Sequence, residues 1–404
     1  MPAPNQSMTR LELRSSISLS SIFALRMLGL FLILPVFAEH ARHLPGGANA
    51  LMIGLVLGIY GLTQGVLQIP AGMASDRFGR KPVIVVGLVI FALGSFVAAS
   101  ASDIWVTLIG RALQGAGAIS AAVTALVADS TRESQRTKSM AMIGGSIALM
   151  FAVSLVAAPV LYGLIGMGGL FAATGILALL AIWVTLRIVP DAPVPLEHAP
   201  GARALRSVMR NTDLLRLNAG IFCLHMVQMA MFIAVPRALV ERSALPLPEH
   251  WKVYLPVVVV SLVLMAGALR RERSGGPRLL FLGAIALVLA VQLAFAAHPS
   301  GLVVTAVLLT LFFTGFNILE ASLPSLISKL APGNAKGAAM GVYNTTQSLG
   351  LFAGGALGGW AMSRYGESAV WAVNALALVC WLVLAAGQRR WQGIEQDSPA
   401  VPSR

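Results

Sequence analysis

Charge is the first thing this chain lacks. Only 11% of its 404 residues are Asp, Glu, Lys or Arg, whereas a soluble globular chain carries about 25%. With 57% hydrophobic side chains and a mean hydropathy of +0.80, it is excluded as a soluble domain, a disordered chain or a collagen-like repeat. A polytopic membrane protein remains. Cysteine is as scarce. Cys223 and Cys380 each sit inside an apolar stretch, so there is no disulfide framework and no CxxC metal site to build on. The GxxxxGK[ST] pattern of a phosphate-cradling loop is missing, which disfavours ATP-driven transport by this chain alone. Acidic groups within apolar runs are nearly absent too, so the facing aspartates or Ser/His pair of an intramembrane enzyme are not there. No metal or cofactor is implied.

What is present is a succession of apolar runs. A helix needs about 20 apolar residues to cross about 30 Å of hydrocarbon. The runs fall at 18–38, 48–69, 82–100, 104–127, 139–162, 168–187, 214–236, 253–269, 279–297, 301–328, 337–360 and 367–387. The expected fold is therefore an all-α membrane protein with twelve transmembrane helices. Pro190, Pro193, Pro195, Pro200 and Gly201 mark the longest polar interruption, set among five arginines from Arg187 to Arg216. The expected organisation is a cytoplasmic N-terminal segment 1–17, a six-helix bundle 18–187, a cytoplasmic linker 188–213, a second six-helix bundle 214–387 and a short cytoplasmic tail 388–404.

Orientation follows from the basic residues. If both termini are cytoplasmic, twenty-two of the 29 Lys and Arg residues fall in the inside segments and five in the outside loops, with Arg26 and Arg111 inside spans. That is a strong positive-inside bias. It also accounts for the formal charge of +13, since such clusters pair with anionic lipid headgroups. Nucleic acid is not an expected partner, because the charges are scattered over seven short segments rather than gathered on one face.

Ionisable groups at mid-span are costly and mark function. Four stand out: Arg26, Arg111, His225 and Glu320, on spans 1, 4, 7 and 10. Spaced by three spans, they fall on the first helix of each of four three-helix repeats, where they can line one cavity. Arg111 with Gln114, His225 with Gln228, and Asn317 with Glu320 are i,i+3 pairs, while Gln64 with Gln68 and Tyr343 with Gln347 are i,i+4 pairs. Each pair shares a helix face, and with Asn344 they make up the expected substrate cavity. Bland alternatives stand beside these roles: Arg26 can snorkel to the interface, Arg111 can be a helix-helix hydrogen-bond hub, and His225 can be a neutral core histidine. Glu320 has the weakest such alternative, since a carboxyl deep in the membrane must be protonated or paired.

Between spans 2 and 3 the chain reads Gly72-Met73-Ala74-Ser75-Asp76-Arg77-Phe78-Gly79-Arg80-Lys81-Pro82. Gly72 allows close helix approach and Gly79 a turn at positive φ. Asp76 stands among the three bases Arg77, Arg80 and Lys81. The expected use is a conformational latch, with Asp76 facing a helix N-terminus in the other half and Arg80 pairing with Asp129.

This loop resembles the GxxxDRxGRK signature of the major facilitator superfamily. Leu28-Gly29 through Pro35-Val36 resembles a motif of twelve-span drug:proton antiporters, and Gly110-Arg111-Ala112-Leu113-Gln114-Gly115-Ala116-Gly117 resembles the arginine motif associated with proton coupling. Leu25-Arg26-Met27-Leu28-Gly29, Gly58-Ile59-Tyr60-Gly61-Leu62-Thr63-Gln64, His250-Trp251-Lys252-Val253-Tyr254 and Met340-Gly341-Val342-Tyr343-Asn344 look like the YajR family of bacterial efflux transporters. The resemblance implies a proton-coupled antiporter of the bacterial cytoplasmic membrane. It would work by alternating access, as a monomer among membrane lipids, exporting small amphipathic or drug-like molecules. A proton-coupled uptake symporter and a non-transporting receptor or assembly protein stay open at this point. In the antiporter motif of span 5, Ala157-Ala158-Pro159 has alanine in place of the first glycine. The soluble C-terminal domain that some YajR-family members carry is not expected here. The second-half counterpart of the loop, Arg270-Arg271-Glu272-Arg273-Ser274-Gly275-Gly276-Pro277, loses the DRxGRK order, so a one-sided latch is expected.

Overall fold

The computed structural model describes residues 7–190, 202–275, 277–332 and 335–387. Among them every regular element is helical. The expected tail 388–404, residues 191–201 of the linker 188–213 and the side chains of 272–277 in the second-half loop lie outside the described residues. The chain divides into two compact units, Met1–Ala199 with Pro246–Trp251, and Pro200–Leu245 with Lys252–Arg404.

The first unit holds α1 (Arg10–Phe31), α2 (Leu34–Ala41), α3 (Ala50–Phe78), α4 (Arg80–Ala99), α5 (Ile104–Ala116), α6 (Ser120–Ser130) and α7 (Glu133–Arg187). Short polar side chains start these helices. The Thr9 hydroxyl accepts from Glu12 N–H while the Glu12 carboxylate accepts from Thr9 N–H, a reciprocal cap. Asn49 and Asp103 cap α3 and α5 in the simpler way. Expected span 1 is broken between α1 and α2. Pro35 has no N–H to continue the ladder, so the chain turns over residues 32–33 before resuming. Expected span 4 is broken as well, at residues 117–119 between α5 and α6. Expected spans 5 and 6 run together as α7, interrupted at Gly166, whose φ of 66° and ψ of −175° are not helical. Side chains such as Leu19, Ile22, Leu88, Phe91, Val123 and Leu126 bring α1, α4 and α6 into one core.

The second unit holds α8 (Ala202–Arg210), α9 (Thr212–Ser243), α10 (Trp251–Gly275), α11 (Pro277–Ala296), α12 (Leu302–Leu330), α13 (Lys336–Tyr365) and α14 (Glu367–Ala386). Helix α9 is buried along most of its length, and α12, α13 and α14 pack against it. The closest of these seams is with α13. Gly350 lies over the Phe222 backbone, Gly354 over the Met226 carbonyl and Gly358 over Ala230, so that a Cβ at any of the three would collide.

Ten described segments are long and apolar enough to cross a membrane. Their outward faces are apolar: Leu164 is 74% and Val303 76% exposed. In water such surfaces would aggregate, so their solvent is lipid. Helix α13 has the length but does not reach the hydropathy of the ten, because Tyr343-Asn344-Thr345-Thr346-Gln347-Ser348 and its glycines dilute the apolar residues.

Candidate functional site

Three groups of polar side chains are built into these bundles. The first is at the α3–α4 turn. Gly79, at φ 93°, ends α3 and opens α4 in a conformation that favours glycine. Arg80 at the first turn of α4 is thereby aimed back at α3 and across to α6. Its Nε donates to Asp129 Oδ2 at 2.9 Å, and its Nη1 donates to Ser75 Oγ at 2.8 Å and to the Asp76 carboxylate. Lys81 Nζ donates to the Val189 carbonyl at 2.7 Å, just past the end of α7. One arginine thus joins three helices, and its neighbour reaches a fourth. Arg77 lies outside this web, exposed over the Phe78 ring. Gly72 lies against Ala121 of α6. Close by, Glu12 accepts from the backbone N–H and the side-chain Nε of Arg132, at 3.0 and 2.9 Å, tying the start of α1 to the α6–α7 turn. That clamp was not anticipated, although Thr9-x-x-Glu12 carries the capping signature.

The second group is sealed inside the first unit. Arg26 and Arg111 are 0% and 1% exposed, and Tyr60 lies between them, its ring centroid 5.9 Å from one guanidinium carbon and 5.1 Å from the other. Arg26 Nη2 donates to Tyr60 OH at 2.8 Å, to Gln64 Oε1 at 3.1 Å and to the Gly117 carbonyl at 3.3 Å, while Nη1 reaches Ser120 Oγ at 3.4 Å. Arg111 Nη1 donates to Gln114 Oε1 at 2.8 Å, and Gln114 Nε2 in turn donates to Ser95 Oγ at 2.8 Å. The remaining Arg111 contacts are the Val56 and Leu57 carbonyls. Buried guanidinium groups normally face carboxylates. Here neutral oxygens and aromatic faces solvate them. The break between α5 and α6 supplies part of this, since it frees the Gly117 carbonyl to accept. Arg111 with Gln114 and Arg26 with Gln64 are brought together, whereas Gln68 is buried with neither amide atom hydrogen-bonded. The spacing of α3 pointed to Gln64 but not to Tyr60 one turn earlier, which is the centre of the cluster.

The third group lies in the second unit, where α9, α12 and α13 meet. Gln347 of α13 stands between His225 of α9 and Glu320 of α12, with its Nε2 2.7 Å from His225 Nε2 and 3.4 Å from Glu320 Oε1. Glu320 Oε2 lies 3.8 Å from His225 Nε2, and His225 Nδ1 faces the Ile221 carbonyl at 3.3 Å. The Phe316 ring packs edge-on to the imidazole at 5.9 Å. The Glu320 side chain is 35% exposed and that of His225 7%, but the Glu320 Oε2 atom beside the imidazole is itself buried. Tyr343 is buried with its hydroxyl unpartnered. Asn317 and Asn344 are half-buried beside this group in sequence. Gln228 lines a narrow pocket with Met231, Phe232, Tyr254, Phe312 and Phe313. Of the four mid-span groups, Arg26 and Arg111 belong to the first unit and His225 and Glu320 to the second, and each finds the partners described on helices of its own unit.

The Major Facilitator Superfamily pattern matches residues 19–355. The inner membrane transport protein YajR of Escherichia coli K12 is 41% identical over 388 residues, 94% of this chain and 84% of its own. Multidrug resistance protein 2 of Bacillus subtilis 168 is 29% identical over 85% of this chain and 87% of its own. Among solved structures, the human organic anion transporter MFSD10 has a TM-score of 0.70 and covers 93% of this chain and 100% of its own, at 18% identity, a likeness of fold.

Proposed function

Since the chain belongs to the Major Facilitator Superfamily and is a multi-pass transporter of a bacterial inner membrane rather than an enzyme, we propose that it is a proton-coupled antiporter. It exports small amphipathic molecules by alternating access. The observation that carries this is the His225–Gln347–Glu320 group. A titratable carboxyl and an imidazole sit on different helices of an apolar bundle, 3.8 Å apart and joined by one amide. Coupling requires that protonation change the relative free energies of two states. A group whose partners lie on three helices meets that requirement, because adding a proton changes which helices are tied. The multidrug name of one relative supports export of drug-like molecules.

In this account the ten apolar segments become twelve spans when α7 is counted on either side of Gly166 and α13 is included. Both termini are cytoplasmic, the energy source is the proton gradient, and the protein works as a monomer among lipids. Arg26 and Arg111 hold positive charge inside the first unit and keep α1, α3 and α5 in register. The web around Arg80 is the latch.

Purified protein in liposomes with an interior pH dye, offered lipophilic cations, sugars and organic acids in turn, tests this. Export by antiport predicts proton release from an acid interior on adding substrate outside, lost in Glu320→Gln. Proton entry together with substrate would mean symport, and unchanged coupling in Glu320→Gln would remove Glu320 from the mechanism.

A further inference from the structure

Gln347 carries a role beyond lining a cavity, and this inference rests on the proton-coupled function just proposed. A primary amide offers two hydrogens on nitrogen and lone pairs on oxygen, and it turns over without displacing its neighbours. Both Gln347 hydrogens have a target, His225 Nε2 and Glu320 Oε1. Donation to Nε2 requires a lone pair there. The imidazole proton is then on Nδ1, where it faces the Ile221 carbonyl. Donation to Oε1 suits an ionised carboxyl. The arrangement is thus that of the unprotonated pair.

The second carboxylate oxygen, Oε2, is buried without a hydrogen-bond partner, 3.8 Å from His225 Nε2. A proton arriving at Oε2 makes an O–H that donates to Nε2; one arriving at Nε2 makes an N–H that donates to Oε2. Either way the Nε2 lone pair is taken and Gln347 loses its partner on α9. We propose that Gln347 is the positioning residue that converts proton binding into motion of α13: it ties α13 to α9 when the acid-imidazole pair is unprotonated and lets go when the pair takes up a proton. The seam it controls is suited to sliding. Gly350 and Gly354 bring α13 against the α9 backbone at Phe222 and Met226, and Gly358 brings it against Ala230 and the end of the Ile233 side chain.

The other charged and titratable groups of the packed helices leave this exchange to the trio. From α13, Tyr343 is the titratable neighbour of Glu320, and Lys336 and Arg364 stand at the helix ends. From α12, Lys329 lies in the last turn. On α9, Asp213 and Arg216 lie in the first two turns and Arg237, Glu241 and Arg242 near the far end. Cys223 of α9 has Cys380 of α14 as its electrostatic neighbour, and Glu367 of α14 is paired with Arg242.

Hydrogen exchange of α13 amides in the full-length protein, compared between about pH 8 and about pH 5, reads the tie directly. After division by the intrinsic amide rate at each pH, which itself falls steeply on acidification, wild-type α13 should be protected about threefold to tenfold less at the lower pH, the worth of one hydrogen bond. Gln347→Met keeps the side-chain length but cannot donate, so α13 should show the lower protection at both pH values. Gln347→Leu carries the same expectation and stands in if the Met variant does not fold. A wild-type pH response surviving in the folded Gln347 variant would overturn the role of Gln347. A pH response surviving in the double variant Glu320→Gln with His225→Asn, which lacks both protonation sites, would overturn the proton-coupled function itself, whatever Gln347→Met does. Loss in the double variant with retention in Gln347→Met would leave coupling in place and dismiss only the amide.

Discussion

A buried arginine without a carboxylate is held only as well as its neutral acceptors are placed, and Tyr60 is the acceptor that serves two of them at once. Its hydroxyl takes a hydrogen from Arg26 and its ring lies near both guanidinium groups. Tyr60→Phe keeps the ring and removes the hydroxyl, so the expected loss is about 1 kcal/mol. In detergent this should appear as a fall in melting temperature of about 2–4 °C. Transport at saturating substrate should stay near wild type, and a collapse of turnover without loss of stability would mean that the hydroxyl acts in the transport cycle. The sequence made part of this cluster legible. Arg111 and Gln114 share a face by spacing alone and do bond at 2.8 Å. Tyr60 was not legible as its centre, because its partners are 34 and 51 positions away along the chain. Periodicity reveals which side chains share a face, never which faces meet.

At the level of single helices, α13 and α9 offer a sharp contrast. A Cβ at Gly354 would run into the Met226 carbonyl, whereas one at Gly341 on the same helix would meet nothing within 4 Å. Gly354→Val should therefore destabilise by about 1–3 kcal/mol through overpacking. Gly341→Ala should stabilise by about 0.5–1 kcal/mol by restricting the unfolded chain. Thermal unfolding of the two variants side by side checks both signs, and equal effects would mean that the seam is loose at Gly354. The break before Pro35 was not readable within 18–38, expected as one span, since Pro70, Pro236 and Pro324 stand inside unbroken helices and proline alone does not say which helix will break. Nor was the break readable at residues 117–119, where it creates acceptors for Arg26 rather than answering any rule of composition. The separation expected near residue 165 is present only as one non-helical glycine inside α7.

For the molecule as a whole, the α3–α4 turn is the proposed latch. Arg80 joins Asp76, Ser75 and Asp129, so neutralising one acid leaves the arginine anchored by the others. Asp76→Asn should keep substrate affinity within about twofold while changing turnover by about tenfold, because one charge-assisted bond contributes about 1.5–3 kcal/mol to one state. Substrate exchange in liposomes measures the rate, and normal turnover would remove the latch role from Asp76. The membrane character and the pairing of Arg80 with Asp129 were legible from composition and from one loop. The ion pair of Asp76 with Arg80 of the same loop was not named from the sequence, although their i,i+4 spacing carries it. The polar, glycine-rich make-up of α13 reaches past the finished protein into its biogenesis. A segment this weakly apolar partitions poorly into lipid by itself when it leaves the insertion machinery. It has to wait beside α9, α12 and α14 until they cover its amides, so the helix proposed to move during transport is also among the last to be committed to the membrane.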